Sequence, residues 1–256
     1  MKNNIIKNKA KASLIHLLLS AVVISALISL MLLFWFPAPF LGVTNFKDIA
    51  VILISIDLVL GPLLTFVVYN KAKKSLKLDL SIIVSIQLMA LSYGIYMLFL
   101  THPVYITYYN NSFNVITAKY AIPEKAKNTK FNISKLSSPT LAYMQLPKGT
   151  TEDELFNNML NGAAEIEARS EFYQPYEENL NKILANSLDP SKIFSEKNMD
   201  DASKAFLKDN KNIDELAFLP LVNGASANGI IVLNKSTGKP VNLIKTNPWK
   251  YAKKNN

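Results

Sequence analysis

Apolar residues are concentrated in three long runs within the first hundred positions of the chain. The runs cover residues 14–36, 49–69 and 80–100, and each is longer than 20 residues. A helix needs about 20 apolar residues to cross the hydrocarbon core of a bilayer. The first and third runs contain no Asp, Glu, Lys or Arg, and the second contains only Asp57. The pattern predicts a membrane protein that begins with a three-helix transmembrane bundle.

After residue 101 the long apolar runs are replaced by short segments of apolar and polar residues. Residues 104–109 and 112–117 are β-branched and aromatic, and Asn110-Asn111 between them predicts a two-residue hairpin. Thr151 and Glu154 form a capping box at the start of a helix predicted over residues 152–170. The remaining predictions are a loop over 123–139, helices over 176–187 and 199–210, and strands over 217–222, 229–234 and 240–245. This order predicts an α+β domain with a mostly antiparallel sheet.

These patterns divide the chain into three parts. We expect a transmembrane domain over residues 1–101, the α+β domain over residues 102–248, and a basic, disordered tail over residues 249–256. The competing interpretation of residues 1–36 is a cleavable signal peptide. The first run is longer than the 7–15 residues of a signal-peptide core, and it ends in Phe34-Trp35-Phe36 rather than in small residues. An uncleaved first span with an aromatic belt at the membrane interface is therefore favoured.

The basic residues predict the orientation of the chain in the membrane. Residues 1–100 carry nine lysines and three aspartates, a net charge of +6, whereas residues 101–256 have a net charge of +3. The connection between the first two runs contains one lysine, Lys47. Four lysines precede the first run and four separate the second from the third: Lys2, Lys7, Lys9, Lys11, Lys71, Lys73, Lys74 and Lys77. The positive-inside rule places the N-terminus in the cytoplasm and the C-terminal domain on the opposite side of the membrane. The excess charge lies beside the spans, so it does not indicate a nucleic-acid partner.

Asp57 is the most informative single residue because an ionised carboxylate at the centre of a span is costly. Gly61 lies one turn later on the same face, and Pro62 removes a backbone donor, so the second span is predicted to be notched and kinked. One interpretation is a docking groove for another transmembrane helix, since small residues permit close backbone approach. The other is a hydrogen bond within the chain to Gln87, Ser85 or Ser92. A proton pathway is disfavoured because the spans contain no second carboxylate.

Nothing in the sequence predicts an enzyme, a cofactor or a metal site. The chain has no cysteine, which excludes thiol chemistry, and its two histidines, His16 and His102, lie at opposite predicted interfaces. His16 is an interfacial polar residue or a partner for Asp79. The segment 224–228 resembles a nucleophile elbow without its second glycine, so we predict a hairpin turn there. The acidic residues Glu165, Glu167, Glu171, Glu177 and Glu178 are predicted to form a solvated face.

The spans resemble the type IV pilin accessory proteins (the TfpX/TfpZ group). The resemblance is carried by short motifs in matching order over residues 13–117, with a looser similarity over residues 238–249. The motifs are Ile15-His16-Leu17-Leu18, Phe34-Trp35-Phe36-Pro37-Ala38-Pro39, Asp57-x-x-x-Gly61-Pro62-Leu63, Lys74-Ser75-Leu76-Lys77-x-Asp79, Gln87-x-x-Ala90-x-x-Tyr93-Gly94 and Pro103-Val104-Tyr105.

The resemblance implies an inner-membrane accessory factor of a Gram-negative bacterium, similar to a dedicated chaperone for the major pilin. The implied partners are the transmembrane helix and the periplasmic head of type IV pilin. Asp57, Gly61 and Pro62 are then the candidate helix-binding residues. The alternative is a membrane-anchored envelope sensor or scaffold whose external domain binds a ligand. A third hypothesis, an enzyme that modifies pilin, has no catalytic set in the sequence to support it.

Overall fold

The computed structural model describes residues 2–195, 199–210, 212–224 and 227–251. The chain divides into two compact units. The helical unit contains the residues up to Leu33 together with Asn45–Thr101. The sheet unit contains Phe34–Thr44 and the residues from His102 onward. The connection between the first two long helices therefore folds as part of the sheet unit.

The helical unit confirms the three long apolar helices predicted at the N-terminus. Its elements are α1 (Lys2–Phe34), α2 (Phe46–Ser55), α3 (Gly61–Val68) and α4 (Leu76–Thr101), and a π-helical turn, Ile56–Leu60, joins α2 to α3. Three helical segments are long and apolar enough to cross a membrane: Asn3–Phe34, Phe46–Val68 and Leu76–Thr101.

The sheet unit is built on a seven-stranded sheet with the order β4-β3-β1-β2-β5-β6-β7. The strands are β1 (Pro103–Tyr109), β2 (Ser112–Thr117), β3 (Thr140–Met144), β4 (Tyr173–Pro175), β5 (Leu216–Asn223), β6 (Ala227–Asn234) and β7 (Pro240–Ile244). The predicted β1–β2 hairpin is confirmed, and Asn110 and Asn111 adopt positive φ angles of 46° and 60° as a tight turn requires.

The prediction of a mostly antiparallel sheet is wrong, because the sheet is mixed. β3 pairs in parallel with β1, and β5 pairs in parallel with β2, on either side of the central hairpin. β3 and β4 were not predicted at all. Both are short, and they reach the sheet only through non-local pairing. A parallel neighbour needs a long connection, which residues 118–139 and the helices before β5 supply.

The helices of the sheet unit are α5 (Glu152–Leu160), α6 (Leu180–Leu184), α7 (Pro190–Ile193) and α8 (Asp201–Asp209). Helices α5, α6 and α8 are shorter than predicted, and α7 was not predicted. The helix predicted over 152–170 ends at Leu160 because Gly162, with a φ of 92°, turns the chain away. The backbone N–H groups of Gly162 and Ala163 then bond back to the carbonyls of Met159 and Asn158.

Residues of the Phe34–Thr44 segment belong to the main core of the sheet unit. Phe40 and Val43 are buried in the same cluster as Leu219 and Ile231 of the sheet. The side-chain amide of Asn223 also donates a hydrogen bond to the carbonyl of Val43. This segment is therefore part of the fold and not only a connection between helices.

Two further predictions concern the end of the chain and the β5–β6 turn. The tail does not begin at residue 249, since Tyr251 is buried in a second core cluster beside Phe218. Residues 252–256 lie outside the described residues. The turn predicted over 224–228 connects antiparallel strands, and its residues Ala225 and Ser226 also lie outside the described residues.

Candidate functional site

The second candidate span contains a π-helical turn at the position of Asp57. Pro62 has no backbone N–H, so the carbonyl of Leu58 lacks its helical donor. One residue earlier, the N–H of Gly61 bonds to the carbonyl of Ile56, five residues back, rather than to the carbonyl of Asp57, four residues back. Single π turns inside α-helices occur frequently at functional sites. The predicted irregularity of this span is thus a π-helical widening.

Asp57 is buried and hydrogen-bonded within the chain. It is 5% exposed, and its Oδ1 accepts a hydrogen bond of 3.2 Å from Nε2 of Gln87 on α4. Ser85 and Ser92, the other two predicted partners, are exposed. The structure therefore contains the internal hydrogen bond that the sequence left as one of two interpretations.

Gly61 allows α4 to pack closely against the second span. A Cβ atom on residue 61 would overlap the side-chain amide of Gln87. Gly94 on α4 has the same relationship to Leu53 on α2. Small residues at helix contacts permit such close backbone approach. The notch at Gly61 is filled by this chain's own helix.

Polar side chains of α1 bind the α3 segment at three levels. Oγ of Ser13 donates a 2.8 Å hydrogen bond to the carbonyl of Pro62. Nδ1 of His16 lies 2.7 Å from Oγ1 of Thr65, and Nζ of Lys9 lies 2.8 Å from the carbonyl of Val67. His16 thus pairs with Thr65 rather than with Asp79, whose carboxylate lies 2.5 Å from Lys73.

An open cleft of about 590 Å³ lies among the helices of this unit, and we call it the polar cleft. Its side walls are stripes of α1 and α4, such as Leu19, Val23, Val84 and Leu88. The polar residues around it are Asn8, Lys11, His16, Ser20, Asp57, Thr65, Tyr69, Lys71 and Gln87. The cleft therefore combines apolar walls with hydrogen-bonding groups.

The three candidate residues Asp57, Gly61 and Pro62 lie within six positions of the second candidate span, but they contact different parts of the helical unit. Asp57 lines the polar cleft, whereas Gly61 and Pro62 are buried in contact with Gln87 and Ser13. Sequence reasoning missed Thr65 as a member of the site. Its signal was its spacing, since residue 65 lies about two helical turns after Asp57 on the same face.

The described residues of the sheet unit include ion pairs. Glu171 pairs with Arg169 at 3.0 Å, and Glu177 pairs with Lys130 at 2.7 Å. The hydrogen bond from Lys130 holds the pKa of the Glu177 carboxyl below its ordinary value. Within the described ranges, no group of three His, Cys, Asp or Glu side chains is placed to hold a metal ion.

These features define a two-unit protein with three candidate membrane spans and a polar cleft among its helices. Residues 4–44 match the family described as fimbrial assembly protein FimB. The chain is 30% identical over 240 residues to the fimbrial assembly protein of serogroup E1 from Dichelobacter nodosus, covering 89% of this chain and 91% of that protein. This chain belongs to the fimbrial assembly protein family, which confirms the resemblance to pilus accessory proteins.

Two other relatives from the same organism have the same kind of name. The serogroup I fimbrial assembly protein is 28% identical over 240 residues, again 89% of this chain and 91% of that protein. The protein of serogroups C1 and C2 is 38% identical over 110 residues, which are 42% of this chain and 84% of that protein. These relatives are named as assembly proteins rather than as enzymes. No solved structure matches this chain.

Proposed function

We propose that this protein is an inner-membrane accessory factor that binds type IV pilin and promotes its stability or its assembly into pili. The observation that carries the proposal is the similarity over 240 residues to a fimbrial assembly protein. An alignment that covers 89% of the chain necessarily includes residues of both units. Both units are therefore assigned to the same task.

The proposed orientation follows from the lysines. The eight lysines before the first span and between the second and third spans lie in the cytoplasm, and the sheet unit lies in the periplasm. A pilin that waits in the same membrane presents a hydrophobic helix to the helical unit and its head to the sheet unit. No transfer of substrate or chemical step is needed for this role.

The polar cleft is the proposed docking place for the pilin helix. A helix of 10–12 Å diameter occupies about 500 Å³ per turn, so a cleft of about 590 Å³ does not enclose several turns. The partner helix lies along the open side of the cleft and inserts side chains between α1 and α4. Asp57, which is buried and bonded to Gln87, lines the cleft at this position, and Gly61 and Pro62 directly follow its π-helical turn.

A deletion experiment tests the function before any site is considered. Pilin protein is measured by immunoblot and pilin transcript by quantitative PCR in a strain without this gene. We expect pilin protein to fall while its transcript is unchanged. If protein and transcript are both unchanged and pili are still made, the proposed role toward the major pilin is wrong.

Substitution of Asp57 tests the docking site separately. Asp57→Leu removes the carboxylate from the cleft and also breaks its hydrogen bond to Gln87, so pilin is measured at matched abundance of this protein and should be lower. Val59→Leu is the matched control, because Val59 is 59% exposed on the same turn and does not line the cleft. Normal pilin levels in the Asp57→Leu strain would contradict the docking site while leaving the function intact.

A further inference from the structure

We infer that the segment 118–139 of the sheet unit lies on the membrane surface and binds anionic lipid headgroups through its lysines. This inference goes beyond the proposed pilin role, because it assigns a lipid contact to a segment outside the spans. Its basis is a set of contacts within the sheet unit that tie this segment to the residues at the helix ends.

The first tie lies beside the end of α1. This helix ends at Phe34, so Trp35 is the next residue along the chain. Nε1 of Trp35 donates a 3.3 Å hydrogen bond to the carbonyl of Leu136. Where α1 crosses a bilayer, Trp35 is at its edge, which is the depth that tryptophan prefers. Leu136 is then held at the same depth.

The second tie lies beside the end of α4. This helix ends at Thr101, and the carbonyl of the next residue, His102, accepts a 3.0 Å hydrogen bond from the N–H of Ala118. The His102 ring stacks on Trp35, with ring centroids 4.9 Å apart and planes 18° from parallel. The start and the end of the segment are therefore hydrogen-bonded to His102 and to Trp35, whose rings stack on each other.

The sheet topology gives an independent argument for the position of both ends of the segment. β1 begins at Pro103, two residues after α4 ends along the chain, and we call this end of the strand its near end. β2 is antiparallel to β1 and ends at its near end, while β3 is parallel to β1 and begins there. Residues 118–139 connect the end of β2 to the start of β3, so both ends of the segment lie beside the near end of β1.

The composition of the segment matches an anionic surface. It contains five lysines and one glutamate: Lys119, Lys125, Lys127, Lys130, Lys135 and Glu124. Lys130 is paired with Glu177 outside the segment, so the other four lysines are the ones assigned to headgroups. Tyr120 and Leu136 are 50% and 60% exposed, and Lys119 lies over the Tyr120 ring at 4.9 Å. Aromatic and aliphatic side chains interleaved with lysine are typical of the headgroup region. Juxtamembrane lysines are attracted to anionic lipids within a Debye length.

Labels on single cysteines measure the depth of the segment directly. The chain contains no cysteine, so Leu136→Cys and Tyr120→Cys introduce single labelling positions. Leu160→Cys is the control, because Leu160 is 71% exposed at the end of α5. In the chain, α5 follows Met144 of β3 and precedes Tyr173 of β4, and these two residues pair at the end of the strands opposite to the near end of β1. The full chain is placed in nanodiscs, a bimane label is attached, and quenching by nitroxide on lipid headgroups is recorded.

We expect quenching at positions 136 and 120 to be at least threefold stronger than at position 160. Equal, weak quenching at all three positions would overturn the inference. Immobile labels at 136 and 120 that lipid nitroxides do not quench would also overturn it, because the segment would then be covered by protein.

A charge series tests the lipid class. Lys119→Gln with Lys135→Gln should at least halve the increase in headgroup quenching at position 136 when the nanodisc changes from zwitterionic lipid to about 30% anionic lipid, because lysines near the surface are attracted to anionic headgroups. The control pair is Lys148→Gln with Lys239→Gln. Both lysines are exposed and follow strands that end opposite to the near end of β1. An equal effect of both pairs, or none from the first, would contradict recognition of anionic headgroups by this segment.

Discussion

Nε2 of Gln87 donates a hydrogen bond of 3.2 Å to the Asp57 carboxylate, and the same amide fills the space beside the backbone of Gly61. One side chain of α4 thus satisfies the buried acid and closes the notch of the second span. Since Gln87 is itself 8% exposed, this contact is part of the interior of the helical unit.

Gly61→Ala should destabilise the helical unit, because its methyl group would overlap the Gln87 amide. Overpacking of this kind costs about 1–3 kcal/mol in the free energy of unfolding. Thermal unfolding of the detergent-solubilised chain measures the effect. In the background of Gln87→Ala the same change should cost much less, because the obstacle is gone. An equal loss in both backgrounds would show that the amide is not the obstacle.

Gln87→Leu should destabilise the unit for a different reason, since it leaves the Asp57 carboxylate without its donor. Hydrogen bonds between membrane helices contribute about 0.6–1.7 kcal/mol. The double variant Asp57→Leu with Gln87→Leu removes both polar groups and should regain most of that loss. The same thermal assay on the two single variants and the double variant completes the cycle. Additive losses would indicate that the two residues are not coupled.

Phe40→Ala should unfold the sheet unit, although Phe40 belongs to the connection between two helices. Its side chain is 6% exposed in the main core, and Phe-to-Ala changes in cores cost about 3–5 kcal/mol. Limited proteolysis of the full chain, followed by mass spectrometry of fragments from residues 102–251, reports the unfolding. Phe34→Ala, at a side chain that is 55% exposed, is the control and should leave the digestion pattern unchanged.

Asp200 should make the stability of the sheet unit depend on pH. It caps α8 by accepting a 2.9 Å hydrogen bond from the N–H of Ser203, and it accepts another from Oγ1 of Thr246. Burial raises the pKa of the Asp200 carboxyl, but the hydrogen bonds from Thr246 and Ser203 outweigh it, so the pKa is below its ordinary value. A lowered pKa means that the stabilisation is complete above the unfolded-state pKa of about 3.9 and is lost as the pH falls through the folded-state pKa.

Asp200→Ala should therefore cost about 1–2 kcal/mol at pH 7, in the range of a lost helix cap. The difference between the variant and the parent should shrink as the pH falls below about 4. Urea unfolding of the full chain in detergent, followed through the sheet signal, gives both values. A difference that stays constant down to pH 2 would mean that ionisation of Asp200 contributes nothing.

The β1–β2 turn offers a test of backbone strain. Asn111 has a φ of 60°, which a β-branched residue adopts at a cost of about 1–2 kcal/mol. Asn111→Val should lower the free energy of unfolding by that amount, and Asn111→Gly should not lower it. Both variants change an exposed side chain, so a loss in the glycine variant would point to a contact of the asparagine side chain instead.

Local patterns were sufficient for a large part of the fold. The three apolar helices, the Asn110-Asn111 hairpin and helix α8 were all predicted, because each is encoded by residues close together in the chain. β3 and β4 were missed because strands of five and three residues carry too little alternation to be recognised. The length of α5 was overestimated because periodicity continued past Gly162, whose positive φ ends the helix.

The sequence by itself determined the apolar helices, the central hairpin and the family, since these depend on composition, short-range periodicity and the order of motifs. The tertiary structure decided which donor binds Asp57, that Gly61 and Pro62 are buried behind the polar cleft, and that the sheet is mixed. It also decided that Phe40 and Val43 belong to the sheet core. Each of these depends on which distant segments come into contact, and that choice is made by packing over the whole chain rather than by any local pattern.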